Sequence, residues 1–67
     1  MTEQDKKELE SLLMVMNGIL LELEHNLLES NMTKENKILK SFIYLEEIEN
    51  YSGKTRKLLN RIFSEEN

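Results

Sequence analysis

The residues of this chain best suited to chemistry are its single histidine and its glutamates. Glu22 precedes His25 by three positions, and Glu-x-x-His on a helix presents two metal ligands on one face, as in di-iron bundles. Glu46, Glu47 and Glu49 add carboxylates further along the chain. The motif occurs once, and one copy supplies too few ligands for such a centre. We interpret His25 as a surface residue, and we predict no metal site and no cofactor.

Other kinds of enzymatic chemistry lack the residues they need. The chain contains no cysteine, so it offers no thiolate nucleophile or thiolate metal ligand and forms no disulfide. Its two glycines, Gly18 and Gly53, are isolated and do not make a phosphate-binding loop. No Ser/His/Asp arrangement is apparent around His25. We therefore predict no catalytic residues, no enzymatic activity and no small-molecule substrate.

A basic cluster in the second half of the chain is a candidate nucleic-acid contact. It consists of Lys54, Arg56, Lys57 and Arg61. Aromatic stacking by Tyr51 or Phe63 would complete such a site. The formal net charge of −4 disfavours a general affinity for nucleic acid or for anionic membranes. We expect these cations to lie instead against acidic residues near the start of the chain.

The elements that carry these residues are predicted to be two long helices. The first half has a leucine stripe at alternating spacings of four and three, formed by Leu9, Leu13, Met16, Leu20, Leu23 and Leu27. The apolar side of the second half is less regular and comprises Ile38, Phe42, Leu45, Ile48, Leu58 or Leu59, Ile62 and Phe63. We predict helices over about 3–29 and 34–64, a loop over about 30–33, and a possible break at 52–53.

The charges favour an antiparallel arrangement of the two helices. Residues 1–30 hold two lysines and seven acidic residues, whereas residues 31–67 hold seven basic and six acidic residues. Folding back at the loop brings the basic cluster near Glu3, Asp5, Glu8 and Glu10, and short loops join antiparallel neighbours. The predicted fold is therefore an all-α, antiparallel two-helix hairpin in a single domain spanning residues 1–67.

A second apolar row on the first helix suggests that the hairpin needs another chain. Met14, Leu21 and Leu28, which we call the outer row, recur every seven residues at about 100° from the leucine stripe. A chain of 67 residues has little core of its own, so oligomerisation or a protein partner is the expected completion. We predict that the partner-binding residues are Leu12, Met14, Ile19, Leu21 and Leu28.

The chain contains no apolar run of the length that a bilayer requires, so we expect no membrane association. Its first residues are acidic and polar rather than basic and apolar, unlike a secretory signal peptide. We therefore expect a cytoplasmic protein.

The length, the acidic Thr2-Glu3-Gln4 start and the helices joined near Asn31-Met32-Thr33 resemble the architecture of two families. One is the small co-chaperone family of type III secretion (the YscE/EscE-like proteins), which implies a helical partner kept stable in the bacterial cytoplasm. The other is the plasmid RNA-binding four-helix-bundle dimer (the Rop family), whose first helix carries the basic residues that bind RNA. Here that helix carries Lys6 and Lys7 followed mainly by glutamates, so the co-chaperone resemblance fits better.

The function we expect is a non-enzymatic protein-interaction module, as in a secretion co-chaperone that stabilises a helical partner. Two alternatives stay open at this point. One is a homodimeric four-helix-bundle regulator that binds nucleic acid. The other is a phage- or plasmid-borne inhibitor that docks on a host protein.

Overall fold

The protein folds into two helices that pack side by side in an antiparallel hairpin. The computed structural model describes the backbone of residues 1–66 and the side chains of residues 1–64. Helix α1 spans Glu3–Leu28 and helix α2 spans Lys34–Glu66, with no strand among the described residues. The molecule is a rod of 50 × 16 × 12 Å. The predicted all-α hairpin is confirmed.

Both helices begin at a threonine that caps the first turn. Oγ1 of Thr2 accepts a hydrogen bond from the backbone N–H of Asp5 at 3.0 Å, and Oγ1 of Thr33 accepts one from Asn36 at 3.3 Å. Each bond satisfies an N–H that has no acceptor within the helix. Glu3, Asp5 and Glu35 add favourable negative charge to these first turns. The Thr2 cap therefore sets where α1 begins, and the Thr33 cap sets where the loop ends and α2 begins.

Helix α2 continues without interruption through Ser52 and Gly53, so the possible break at 52–53 is wrong. Gly53 has no positive φ, and a glycine in a helix costs only about 1 kcal/mol relative to alanine. Tyr51, Thr55 and Leu58 on either side of it are buried or half-buried against α1. Their packing outweighs the cost of the glycine, so the helix continues through this point.

The helices meet along a seam in which residues alternate at spacings of four and three. Every seam residue is buried or half-buried. On α1 the seam comprises Asp5, Leu9, Leu12, Met16, Ile19, Leu23, Asn26 and Ser30, and on α2 it comprises Lys37, Ser41, Tyr44, Ile48, Tyr51, Thr55, Leu58 and Ile62. Three side-chain contacts set the register, joining Asp5 to Arg61, Met16 to Ser52 and Asn26 to Ser41.

The seam contains only half of the predicted leucine stripe. Leu9, Met16 and Leu23 lie in it, but Leu13, Leu20 and Leu27 are about half exposed. Leu12, Ile19 and Asn26 take their places in the seam. The spacing of the stripe is correct, but its direction is rotated. The cause lies partly in a polar contact, because the buried Asn26 amide finds its hydrogen-bond acceptors on α2 and so turns α1 toward this residue.

The core of the hairpin is small and contains several polar side chains. Among the described side chains the buried hydrophobic residues are Ile19, Leu58 and Ile62. Nδ2 of the buried Asn26 donates to the carbonyl oxygen of Lys37 at 3.0 Å and to Oγ of Ser41 at 3.1 Å. Such a core supplies little hydrophobic stabilisation, while its hydrogen bonds fix which residues face each other.

Candidate protein-interaction surface

Two flanks of opposite chemistry border the seam, one on each side of the hairpin. In an antiparallel pair, the seam residues of each helix form two alternating sets. The residues that directly follow the first set in both helices lie together on one side of the seam, and the residues that directly precede the second set lie together on the opposite side. The apolar flank consists of Leu13, Leu20, Leu27, Ile38, Leu45 and Leu59, with the polar Lys6 and Ser52 at two of its positions. The charged flank consists of Glu8, Glu22, Glu29, Lys40, Glu47, Lys54 and Arg61, with the apolar Val15 at one position.

Shallow grooves along the hairpin confirm how the two flanks are divided. Glu8, Lys54 and Arg61 line one groove together, although they come from different helices. On the other side, Leu59 and Phe63 line a groove that reaches the seam. The groove on the charged flank is therefore built by flank residues of both helices, whereas the groove at Leu59 and Phe63 meets α1 at the seam residue Met16.

The apolar flank widens at its α2 edge into two exposed aromatic side chains. Phe42 is 62% exposed and Phe63 is 58% exposed. Ile38 and Leu45, beside Phe42, are also exposed. Contiguous apolar surface of this kind marks a contact with another macromolecule more often than scattered single residues do. The prediction that Phe42, Phe63 and the three half-exposed leucines of α1 lie inside the hairpin is wrong, because all five side chains are exposed.

The charged flank holds ion pairs that join the two ends of the chain. Nη2 of Arg61 donates to Oδ1 of Asp5 at 2.5 Å and to Oε2 of Glu8 at 3.4 Å. These contacts confirm that Arg61 of the basic cluster lies against the acidic start of α1. Nζ of Lys54 lies 5.0 Å from the centre of the Tyr51 ring, close enough for a cation–π contact. Arg61 and Lys54 of the charged flank are thus engaged within the hairpin.

The predicted partner-binding residues divide into two groups. Met14, Leu21 and Leu28 of the outer row are exposed by 74%, 59% and 75%. Leu12 is half-buried and Ile19 is buried in the seam, so the expectation that these two are surface residues is wrong. An alternation begun at Asp5 rather than at Leu9 passes through Leu12 and Ile19 and would have found this. The polar Asp5 and Asn26 at its two ends obscured that signal.

The residues considered for metal chemistry do not come together. Nδ1 of His25 shares a hydrogen bond of 2.9 Å with Oε2 of Glu29, and both side chains are largely exposed. Within residues 1–64, no three histidine or acidic side chains converge in a way that would hold a metal ion. Neither helix, over residues 1–66, combines the length and the hydropathy needed to cross a bilayer.

What the surface offers is therefore apolar packing, bounded by charge on one side. The outer row and the apolar flank are separated on α1 by the polar residues Glu10, Asn17 and Glu24. They are two surfaces rather than one.

In comparisons with known proteins, no protein-family model, no curated protein and no solved structure matches this chain.

Proposed function

We propose that this protein is a non-enzymatic interaction module that binds an α-helical protein through the outer row of α1. The observation that carries the proposal is the exposure of Met14, Leu21 and Leu28 on the side of α1 that faces away from α2. Fully burying a leucine or methionine side chain contributes about 1.5–3 kcal/mol. A partner that covers all three gains a substantial part of a specific affinity.

The spacing of the outer row fits a helix as the partner. Residues seven apart on a helix lie about 10.5 Å from each other along its axis, so the row is a straight line of about 21 Å. A second helix laid along this line contacts all three side chains. Gly18 lies close to the row, and no atom lies within 4 Å of where its Cβ would stand, so a partner backbone can approach there. Met14 adapts its flexible side chain to the partner surface.

The polar edge of the row restricts which helices bind. Glu10, Asn17 and Glu24 border the row on one side and remain exposed. They favour a partner whose own apolar strip is bordered by lysine or arginine, and they disfavour an acidic one. Binding buries apolar surface on both molecules and so stabilises the partner as well. This is the action of a co-chaperone such as those of type III secretion, and we propose that class of role, in the cytoplasm, for this chain.

The proposal is tested with Leu21→Glu, which places a charge at the centre of the outer row. The tagged full-length chain is used to isolate partners from its own host, and a partner identified by mass spectrometry is then purified and titrated by calorimetry. We expect Leu21→Glu to abolish this binding while the circular dichroism spectrum stays helical. Leu39→Glu, at an exposed leucine of α2, is the matched control and should bind as the original chain does. Binding that survives Leu21→Glu would remove the outer row as the interface.

A further inference from the structure

We infer that the apolar flank is the surface through which two copies of this chain pair into a four-helix bundle, with their loops at opposite ends. This inference uses a different surface from the proposed function. In such a bundle the outer row lies beyond the polar residues Glu10, Asn17 and Glu24, and it stays available to another protein.

The most apolar side of each helix does not face the other helix of the hairpin. The leucine stripe of α1 points about 50° around the helix axis from the direction of α2, toward the apolar flank. The predicted apolar side of α2, with Ile38, Phe42 and Leu45, is rotated toward the same flank. Neither helix is therefore most apolar where it meets its neighbour. Both are most apolar toward a place where a third and a fourth helix would stand.

The hairpin leaves a large accessible surface in contact with water. Its accessible area is 5321 Å² for a mass of 8.0 kDa. A compact monomer of this mass exposes about 4,450 Å², so the hairpin exposes about 870 Å² more. A stable interface of standard size buries about 800 Å² on each partner. Pairing two hairpins therefore buries, on each of them, an accessible area similar to the excess that this rod exposes over a compact monomer.

The side chains along the edge of α2 identify the partner on the apolar flank as a second copy of the same chain. Along the outer edge of the apolar flank, α2 carries a row of residues spaced by seven, which begins with Glu35 in the first turn and continues with Phe42, Glu49, Arg56 and Phe63. Reversing the last four residues of the row places phenylalanine on phenylalanine and glutamate on arginine. A two-fold axis near Ser52 and Gly53 therefore matches the row with itself, which an interface between identical subunits requires.

The order of residues in the row also selects the orientation of the two hairpins. Facing residues of the hairpin have numbers that sum to 67, as Asn26 and Ser41 do. If the loops lay at the same end, α2 would cross α1 of the second copy, and Phe42 and Phe63 would face its Glu24 and Glu3. With the loops at opposite ends, α2 packs on α2 and each phenylalanine meets an aromatic ring, a gain that opposes the repulsion among Glu3, Glu10 and Glu24 where α1 packs on α1. The charged flank cannot serve instead, because its arginine and lysines would be buried.

Charge reversal within the row tests the inference directly. The oligomeric mass of the full chain is measured by light scattering and sedimentation at several concentrations, for the original chain, Glu49→Arg, Arg56→Glu and the double variant. We expect a dimer for the original chain. Each single variant should weaken dimerisation by about tenfold or more, because both symmetric pairs become repulsive. The double variant should restore the dimer, because it exchanges the two charges within each pair.

Three results would overturn the inference. The first is a monomer, or an assembly larger than two chains, for the original sequence. The second is a double variant that fails to recover the dimer, which would indicate that Arg56 faces Glu10 of the second copy or nothing at all. The third is a loss of dimer in Glu47→Arg, a control of the same kind on the charged flank. Leu21→Glu should leave the dimer intact, so failure of the proposed function and failure of this inference are distinguishable.

Discussion

The apolar and charged flanks stand in the same geometric relation to the seam, yet their chemistry is opposite. Both run along the whole hairpin and both draw residues from α1 and α2. On one side leucine and isoleucine recur at almost every turn, and on the other glutamate, lysine and arginine do. The contrast teaches that the flanks, rather than the seam, determine which side of a hairpin can be covered by another chain.

The largest expected effect comes from breaking the seam that holds both flanks in place. Ile62 is 1% exposed, so Ile62→Ala removes buried atoms and leaves a cavity near the ends of the chain. We expect a loss of about 2–5 kcal/mol in the free energy of unfolding, enough to unfold a domain of this size. Urea denaturation at a fixed protein concentration measures it. Leu39→Ala, at an exposed leucine, should change the stability by no more than about 0.5 kcal/mol.

A smaller change sharpens the comparison by strengthening α1 without altering either flank. Gly18 has helical geometry, and a Cβ at this position would meet no atom within 4 Å. We expect Gly18→Ala to raise the free energy of unfolding by roughly 0.5–1 kcal/mol, because alanine loses less conformational freedom in the helix. Thermal unfolding at fixed concentration measures this gain. A loss of stability in the isolated chain would show that Gly18 already contacts a neighbour in solution.

The smallest effect is expected on the charged flank. Arg61→Gln removes the contacts to Asp5 and Glu8, but the Arg61 side chain is 50% exposed and solvent weakens the pairs. We expect a loss of roughly 0.2–1 kcal/mol in stability. Added salt screens the ion pairs, so the difference between the two proteins should shrink as the salt concentration rises. A difference that persists at high salt would indicate that packing of the arginine stem, rather than its charge, stabilises this end.

The sequence was sufficient to predict the two helices and their antiparallel order, because these depend on local spacing and on the sign of the charges. It was not sufficient to predict the seam. Leu13 and Leu12 are adjacent in the chain, and both continue an alternation from Leu9. Choosing between them needs the opposing surface of α2, where Ser41 and Thr55 are buried although neither is hydrophobic. The exposure of the outer row could be predicted because its residues recur every seven positions and lie outside either choice of seam.

The distribution of buried hydrophobic residues along the seam has a consequence for how the hairpin folds. Buried polar residues occur along the whole seam, but Leu58 and Ile62, two of the three buried hydrophobic residues among the described side chains, lie toward the chain ends. The contact between Asn26 and Ser41 near the loop joins residues that are close in the chain, whereas Leu58 and Ile62 pack against residues near the start of α1. Folding must therefore close a long stretch of chain before it gains most of its hydrophobic stabilisation.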